Sequence, residues 1–411
     1  MVTSLRRQWA SIRAWLVGDT SWRGDLARAL LLYLVTRVAL GLFVWLVQQH
    51  EFCHGPRCLD NRVFPENRFL NGLFQWDAIH YYRVITRGYF VGSGYDTTAP
   101  FFPGFPLAAR WMGALVGSPL LGGILVNHLA SLLAAFLMAR LVRALSIGGV
   151  TPGREGADER AGVDAVAREA TLFWLGAPLT FFFTVFLSEA VFGLASVAAF
   201  WAVARGRWPL ALVAGIAASA TRNAGLIVCV CALLLAWERR RIVPVPRYGW
   251  LCVALGPLGL GLFILYQHVA LGDGFAWVHA QAAWNRGLVF PWKTFQDDWI
   301  GLPGVRGHAV DAMYRTQEVL ALAVLLPFLF LRRQLGIPWA IWLLGVGEWL
   351  LPLASHSLIS CARYQAGNLY FALAIPAFLA PRPTTRGVAW MLFGMVLAYY
   401  ATMYPVGNWA S

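Results

Sequence analysis

Charge is what this sequence has least of. Only 13% of its 411 residues are charged, against about a quarter in a soluble domain. The deficit runs the whole length of the chain. With 59% hydrophobic residues and a mean hydropathy of +0.58 it excludes an ordinary soluble globule and points to a polytopic membrane protein. Lysine is nearly missing: Lys293 is the only one. Such reliance on arginine, with abundant Ala and Gly, points to a GC-rich bacterial genome. A formal charge of +13 would suggest nucleic acid in a soluble protein. Here the arginines stand at the ends of apolar segments, where the basic bias of cytoplasmic loops places them, so no nucleic-acid partner is expected. Several signatures are also absent: the P-loop, HExxH, G-x-S-x-G and the dinucleotide fingerprint. No Asp-x-Asp pair stands in the outer loops, so a metal–nucleotide-sugar site is unsupported, and no metal or cofactor is expected. No internal repeat is seen, which gives an inverted-repeat lipid or glycolipid transporter, the rival from another class, no support.

What is present is a series of apolar segments, near 27–48, 119–145, 168–187, 189–205, 207–222, 224–238, 248–270, 318–332, 336–354, 361–380 and 386–404. A span needs about 20 apolar residues, and several in the middle are shorter, as in discontinuous helices that line a cavity. Arginine placement puts the N-terminus, the 140–168 region, Arg205/Arg207, Arg239–Arg241, Arg332/Arg333 and Arg382/Arg386 inside. No cleavable signal peptide is apparent, and residues 1–25 read as an amphipathic helix on the inner surface. One topology satisfies these constraints: the stretch 101–117 does not cross fully, about eleven other helices do, and 151–169 is a charged inner loop. The loops 49–100, 187–190, 221–225, 271–317 and 354–363 then share the outer face. The chain reads as one integral-membrane domain, 1–411. Of six cysteines, four lie in apolar segments and read as packing residues. Cys53 and Cys58, in CHGPRC, read as a small disulfide loop rather than half a zinc site.

Four polar features fall on that outer face, and an aromatic, proline-rich turn accompanies the first of them. Asn71–Arg87 reads as one amphipathic surface helix, with Asp77, His80, Arg83 and Arg87 on a shared face. An acid beside His and Arg near the bilayer has the ingredients for proton abstraction; a helix cap or an Asp77–Arg83 pair is the bland alternative. Phe101–Pro106, FFPGFP, should start a short half-helix. Ser188-Glu189 places a carboxylate between two apolar segments, as a loop residue or facing a wet cavity. Arg222-Asn223 interrupts a run of small residues, and an arginine there suits phosphate or simply ends a helix. Arg363-Tyr364 lie at the mouth of a late helix and could hold phosphate or sugar. Arg37 and Glu348 are intramembrane charges without assigned partners. Asp297-Asp298 reads as a solvated pair.

Trp76-Asp77-Ala78 with His80, Arg87-Gly88-Tyr89, and Ala99-Pro100 leading into FFPGFP resemble the PIG-V, GPI mannosyltransferase II-like family of the GT-C superfamily. Ser188-Glu189, Arg222-Asn223-Ala224-Gly225 and Arg37 fall in the order this family shows, so the likeness covers most of Arg37–Gly225. The resemblance implies a retained GT-C core, so the chain reads as an all-α GT-C type bundle of about 11 transmembrane helices with an amphipathic helix in the first outer loop. It implies an extracytoplasmic active site in the inner (plasma) membrane and a polyprenyl-phosphate-mannose donor. The essential Asp of its first outer loop maps to Asp77. A lipid- or glycan-linked acceptor is expected, the GPI acceptor not being carried over to a bacterium. Asp77 is the expected base, with His80, Arg83, Glu189, Arg222, Asn223, Arg363 and Tyr364 as substrate-binding residues and Arg222 or Arg363 on the donor phosphate. A GT-C transferase using another polyprenyl-phosphate sugar is the alternative enzyme.

Overall fold

The structure, a computed structural model, describes residues 19–49, 64, 67–149, 157–300 and 309–407. The Cys53–Cys58 loop and most of the expected inner-surface helix lie outside the described residues. Among the described residues every regular element is helical: α1 Trp22–Gln49, α2 Arg68–Gly72, α3 Ala78–Arg87, α4 Gly104–Val116, α5 Pro119–Leu145, α6 Ala157–Gly176, α7 Glu189–Ala204, α8 Trp208–Thr221, α9 Gly225–Arg239, α10 Arg247–Ala254, α11 Leu258–Leu271, α12 Ala276–His279, α13 Pro291–Phe295, α14 Ala309–Leu325, α15 Trp339–Leu353, α16 Cys361–Tyr364, α17 Leu369–Leu379 and α18 Pro383–Met403.

Four stretches among the described residues are long and apolar enough to cross a membrane: Trp22–Gln49, Pro119–Leu145, Met313–Phe330 and Pro383–Val406. The pair α10 and α11, bent by 43°, is a fifth if taken as one span. The expectation of about eleven full spans exceeds this, for a physical reason. Proline and glycine cut the apolar runs. Helices α7, α8, α15 and α17 have 16, 14, 15 and 11 residues, so they rise only about 16–24 Å, short of the ~30 Å hydrocarbon core. Helix α4 has 13 residues and ends at the left-handed Gly117, before Ser118 caps α5; at about 20 Å it too is short of a span. Exposed Trp111, Leu115, Val269 and Phe330 give the outside of the bundle an apolar skin, which lipid would cover.

Four expectations need correction. Residues 157–169 are not loop but the first turns of α6, whose Ala, Glu and Arg residues favour helix despite their polarity. The segment 168–187 is not one helix: α6 stops at Gly176, and Pro178–Phe183 continues as a tighter 3₁₀ turn. Residues 309–317 belong to α14, not to the long loop. Asn71–Arg87 is two helices, α2 and α3, broken at 73–77. Arg37, an intramembrane charge read as bound to polar groups of neighbouring helices, donates to Ser131 Oγ (2.9 Å) and the Leu175 carbonyl (3.3 Å), tying α1 to α5 and α6.

Three short-range constraints position the functional side chains. Asn127, on α5, donates to the carbonyls of Val185 (2.5 Å) and Leu187 (2.8 Å). The Phe186 amide donates to the Leu73 carbonyl (3.0 Å). The chain before Ser188-Glu189 is thereby strapped to the chain before Asp77. Gly104 lies so close to the end of α8 that a Cβ there would stand 2.2 Å from Thr221 Oγ1 and 3.0 Å from the Ala220 carbonyl, which sets α4 against Thr221-Arg222. Gly104→Ala should therefore cost about 1–3 kcal/mol. It should lower the melting temperature in detergent, with part of the loss recovered by adding Thr221→Ala. An unchanged melting temperature would mean that this close approach does not hold α4.

Candidate active site

The break between α2 and α3 is built on Trp76, whose φ of 56° puts a bulky residue in the left-handed region. Such a conformation costs about 1–3 kcal/mol and persists only where surroundings enforce it. Here the Tyr404 hydroxyl, from the far end of the chain, donates to the Gln75 carbonyl (2.9 Å). The turn delivers Asp77 to the N-cap of α3, yet its carboxylate makes no capping bond. It does not pair with Arg83 either, which is bound instead to Asp96 (3.1 Å).

Asp77 faces Arg363. Arg363 Nη2 donates to Asp77 Oδ2 at 2.5 Å. Arg363 Nε lies 3.1 Å from Glu189 Oε1, an ion pair whose angles do not make it a hydrogen bond. Arg222 Nη1 stands 2.8 Å from the same oxygen. The result is a continuous line of alternating charge, Asp77–Arg363–Glu189–Arg222, in which Glu189 is almost fully enclosed and its Oε2 is buried without a hydrogen-bond partner. Tyr81 donates to Ser188 Oγ (2.8 Å), and Arg222 reaches that oxygen at 3.4 Å. Three guanidinium groups gather over the ring of Tyr364: Arg222 at 4.8 Å, Arg286 at 5.2 Å and Arg363 at 5.7 Å from its centroid. Arg286 also donates to the Tyr364 hydroxyl and to the Ile359 carbonyl (3.0 Å). These contacts join three cations to only two carboxylates, so an anion is the ligand this arrangement suits.

Burial pushes the Asp77 carboxyl up, but the charge and hydrogen bond of Arg363, with His80 and Arg286 adding to them, hold it below its ordinary value. Burial keeps the His80 imidazole below its ordinary value against the pull of Asp77. His80 Nδ1 lies 3.2 Å from the Thr97 carbonyl, and its ring stacks on Phe101 at 4.6 Å. That stacking, with Tyr81 edge-on to Phe105, fixes the FFPGFP turn against α3.

Of the residues singled out from the sequence, Asp77, Glu189, Arg222, Arg363 and Tyr364 meet. Asn223 is exposed and bonds the neighbouring Ala224 amide (2.9 Å), so the substrate-binding role expected for it finds no contact with the array. Arg83, half-exposed and paired with Asp96, is likewise outside it, and His80 stands beside the array. Glu348 is buried, and both its oxygens lack hydrogen-bond partners. Among the described residues no three His, Cys, Asp or Glu side chains gather as metal ligands would.

Sequence reasoning missed three residues. Arg286 comes from the long loop, where nothing in its neighbours marks it. Asp298 is not solvated: it receives Arg315 (3.1 Å) and the Leu358 amide (2.6 Å). Glu318, on α14, accepts the Ala362 amide (2.6 Å). These two carboxylates hold the backbone that carries Arg363 and Tyr364. A carboxylate accepting backbone amides leaves no spacing pattern in sequence.

Two outcomes follow from the buried array. Glu189→Gln removes the charge between Arg363 and Arg222 without changing shape. Breaking a buried ion network in this way costs about 3–5 kcal/mol, to be seen as a lowered melting temperature; a change below about 1 kcal/mol would show that the array does not depend on it. Asp77 has a depressed folded-state value, so its stabilising contribution is complete above its unfolded value, about pH 4, and is lost as pH falls through the lower folded value. The wild type should lose an increment of stability below about pH 4 that Asp77→Asn lacks. An Asp77-dependent loss at pH 6–7 would contradict the pairing.

The profile of one protein family, mannosyltransferase (PIG-V), matches residues 30–237. The match takes in Asp77, Glu189 and Arg222 and ends before Arg286 and Arg363. No curated protein sequence matches the chain. Among solved structures, the oligosaccharyltransferase of Archaeoglobus fulgidus, crystallised tethered to an acceptor peptide containing the NVT sequon, aligns with 13% identity and a TM-score of 0.41. The alignment covers 92% of this chain and 54% of that one, so the chain spans about half the length of the structure it matches. With the family profile covering half of its length, this multi-pass membrane protein belongs to the PIG-V mannosyltransferase family.

Proposed function

We propose that the chain is a GT-C type, inverting enzyme that moves mannose from a polyprenyl-phosphate-mannose donor to a hydroxyl of a lipid- or glycan-linked acceptor on the outer face of the cell membrane. The observation that carries this reading is one partly accessible carboxylate, Asp77, paired with Arg363, whose guanidinium group gathers with those of Arg222 and Arg286 over Tyr364. Asp77 takes the proton of the acceptor hydroxyl as that oxygen bonds to the anomeric carbon. The bond from this carbon to the phosphate oxygen breaks, and its electron pair leaves with the polyprenyl phosphate. The donor phosphodiester carries one negative charge; the departing monoester carries nearly two at pH 7. Guanidinium groups already in place therefore bind the leaving group more strongly as the bond breaks, which is the condition for lowering a barrier. Phosphate leaves without a proton, so no general acid is required. Asp77 lies within reach of Arg363, and a phosphate that draws Arg363 toward itself frees the carboxylate to act as base.

The outer-face assignment is supported by arginine placement, which puts the segments bearing Asp77, Glu189, Arg222, Arg286 and Arg363 opposite the basic loops. Transfer of radiolabelled mannose from a defined polyprenyl-phosphate donor in proteoliposomes tests the reading. Asp77→Asn should reduce transfer about 10²–10⁴-fold. Arg286→Ala should lower kcat about 10²–10³-fold, the usual cost of one preorganised charge partner. Normal transfer by Asp77→Asn would eliminate it as the base.

A further inference from the structure

At the end of the bundle remote from Asp77, the ends of α1, α5, α6 and α18 bring arginines together. Asp25, near the start of α1 and fully enclosed, accepts Arg28 (3.0 Å), Arg140 (3.1 Å) and Arg143 (2.9 Å). Arg143 also pairs with Asp164 on α6. Along α5, Arg140 lies about 20 Å from Asn127, whose side chain sets the segment before Glu189. The cluster is therefore separate from the charged array. Beside it stand Arg168 of α6 and Arg386 of α18. The charges of Arg28, Arg143 and Arg386 act on Arg168, all positive, opposed by Asp164, which already holds Arg143. Glu169, the acid beside Arg386, gives one oxygen to the Trp390 indole (2.6 Å). Its other oxygen lies 3.9 Å from Arg386, beyond hydrogen-bond length.

The same helices supply an apolar flank. Trp390 fills the seam where α1, α6 and α18 meet: a Cβ on Gly176 would stand 3.3 Å from its ring and 3.9 Å from Thr36. Within two helical turns of the arginines, Leu31 and Leu34 on α1 and Val388 and Met391 on α18 are exposed. The Arg386 side chain is itself 41% exposed, at the level where this apolar surface begins. Cations at the helix ends with aliphatic side chains along the helices match the two parts of a phospholipid, a phosphate and its chains. Free phosphate would use the cations and leave the flank bare. A zwitterionic headgroup would bring an ammonium toward Arg168 and Arg386, which repel it. An anionic phosphodiester brings only the charge that relieves their mutual repulsion, and guanidinium groups suit its oxygens.

We propose that Arg168 and Arg386 bind the phosphate of an anionic phospholipid in the leaflet opposite Asp77, with its chains lying along Leu34 and Met391. Arginine placement makes this the cytoplasmic leaflet. The inference stands independently of the transferase reading. Native mass spectrometry of the full chain, released from mixed micelles, counts the lipids it retains. The probes are phosphatidylglycerol and phosphatidylcholine of equal chain length. Each arginine removed should weaken retention of phosphatidylglycerol about five-fold. The double variant Arg168→Gln, Arg386→Gln should therefore lose about 25-fold and hold the two lipids alike. The control pair Arg205→Gln, Arg207→Gln removes two exposed arginines elsewhere on that side and should keep the wild-type preference. Equal retention of phosphatidylglycerol by the wild type and the double variant, or an equal loss in the control pair, overturns the proposal. Arg386→Gln alone serves if the double variant does not fold, and unchanged retention in it is equally fatal. Millimolar inorganic phosphate should leave the lipid bound; displacement would make this a phosphate site and reject the lipid.

Discussion

The structure depends on one ion line, Asp77–Arg363–Glu189–Arg222, held inside a helical membrane bundle. Buried charges are costly unless each is matched and held in place. Every other feature near the site serves that condition. The strained turn at Trp76 delivers Asp77, the Asn127 strap sets Glu189, Gly104 brings α4 against the segment bearing Arg222, and Asp298 with Glu318 holds the backbone of Arg363. The scaffold spends backbone strain and buried amide bonds on holding four side chains in register.

The line also separates two tasks. Toward Arg222, Arg286 and Arg363 the site is cationic and closes over the ring of Tyr364. Toward His80, Thr97 and Trp284 it is neutral and aromatic. Asp77 sits where the two meet. In the transfer proposed above an uncharged nucleophile displaces a charged leaving group, and such a boundary gives each group the surroundings that suit it.

Much of this was legible in the sequence, and the limits have physical causes. The low charge and apolar runs identified a membrane helical protein, and the WDA and FFPGFP stretches carried the family. Glu189 and Arg222 were readable because a charge between or inside apolar runs is costly enough to stand out, Asp77 because it stands beside His and Arg within the WDA stretch, and Arg363 because it lies at the mouth of a late helix. Arg286 was not, because in a polar loop an arginine costs nothing and signals nothing. Helical periodicity runs smoothly across Asn71–Arg87, so it could not show the break at Trp76, which tertiary bonds from Tyr404 enforce. The same periodicity set Arg83 beside Asp77, although Asp96, brought in by the turn that follows, takes Arg83 away. Helix length does not confirm the count of about eleven spans, because hydropathy does not register the breaks at Pro178 and Pro257.

Arg363 reaches Asp77 across 286 positions of sequence, and Tyr404 reaches Gln75 across 329. The amino-terminal half alone holds an acid and its strained turn with neither the counter-charge nor the brace that make them tolerable. The centre therefore comes into being only when the last helices have entered the membrane and packed. During synthesis Asp77 stands without Arg363 until those helices arrive, and the ion line is the last part of the fold to close.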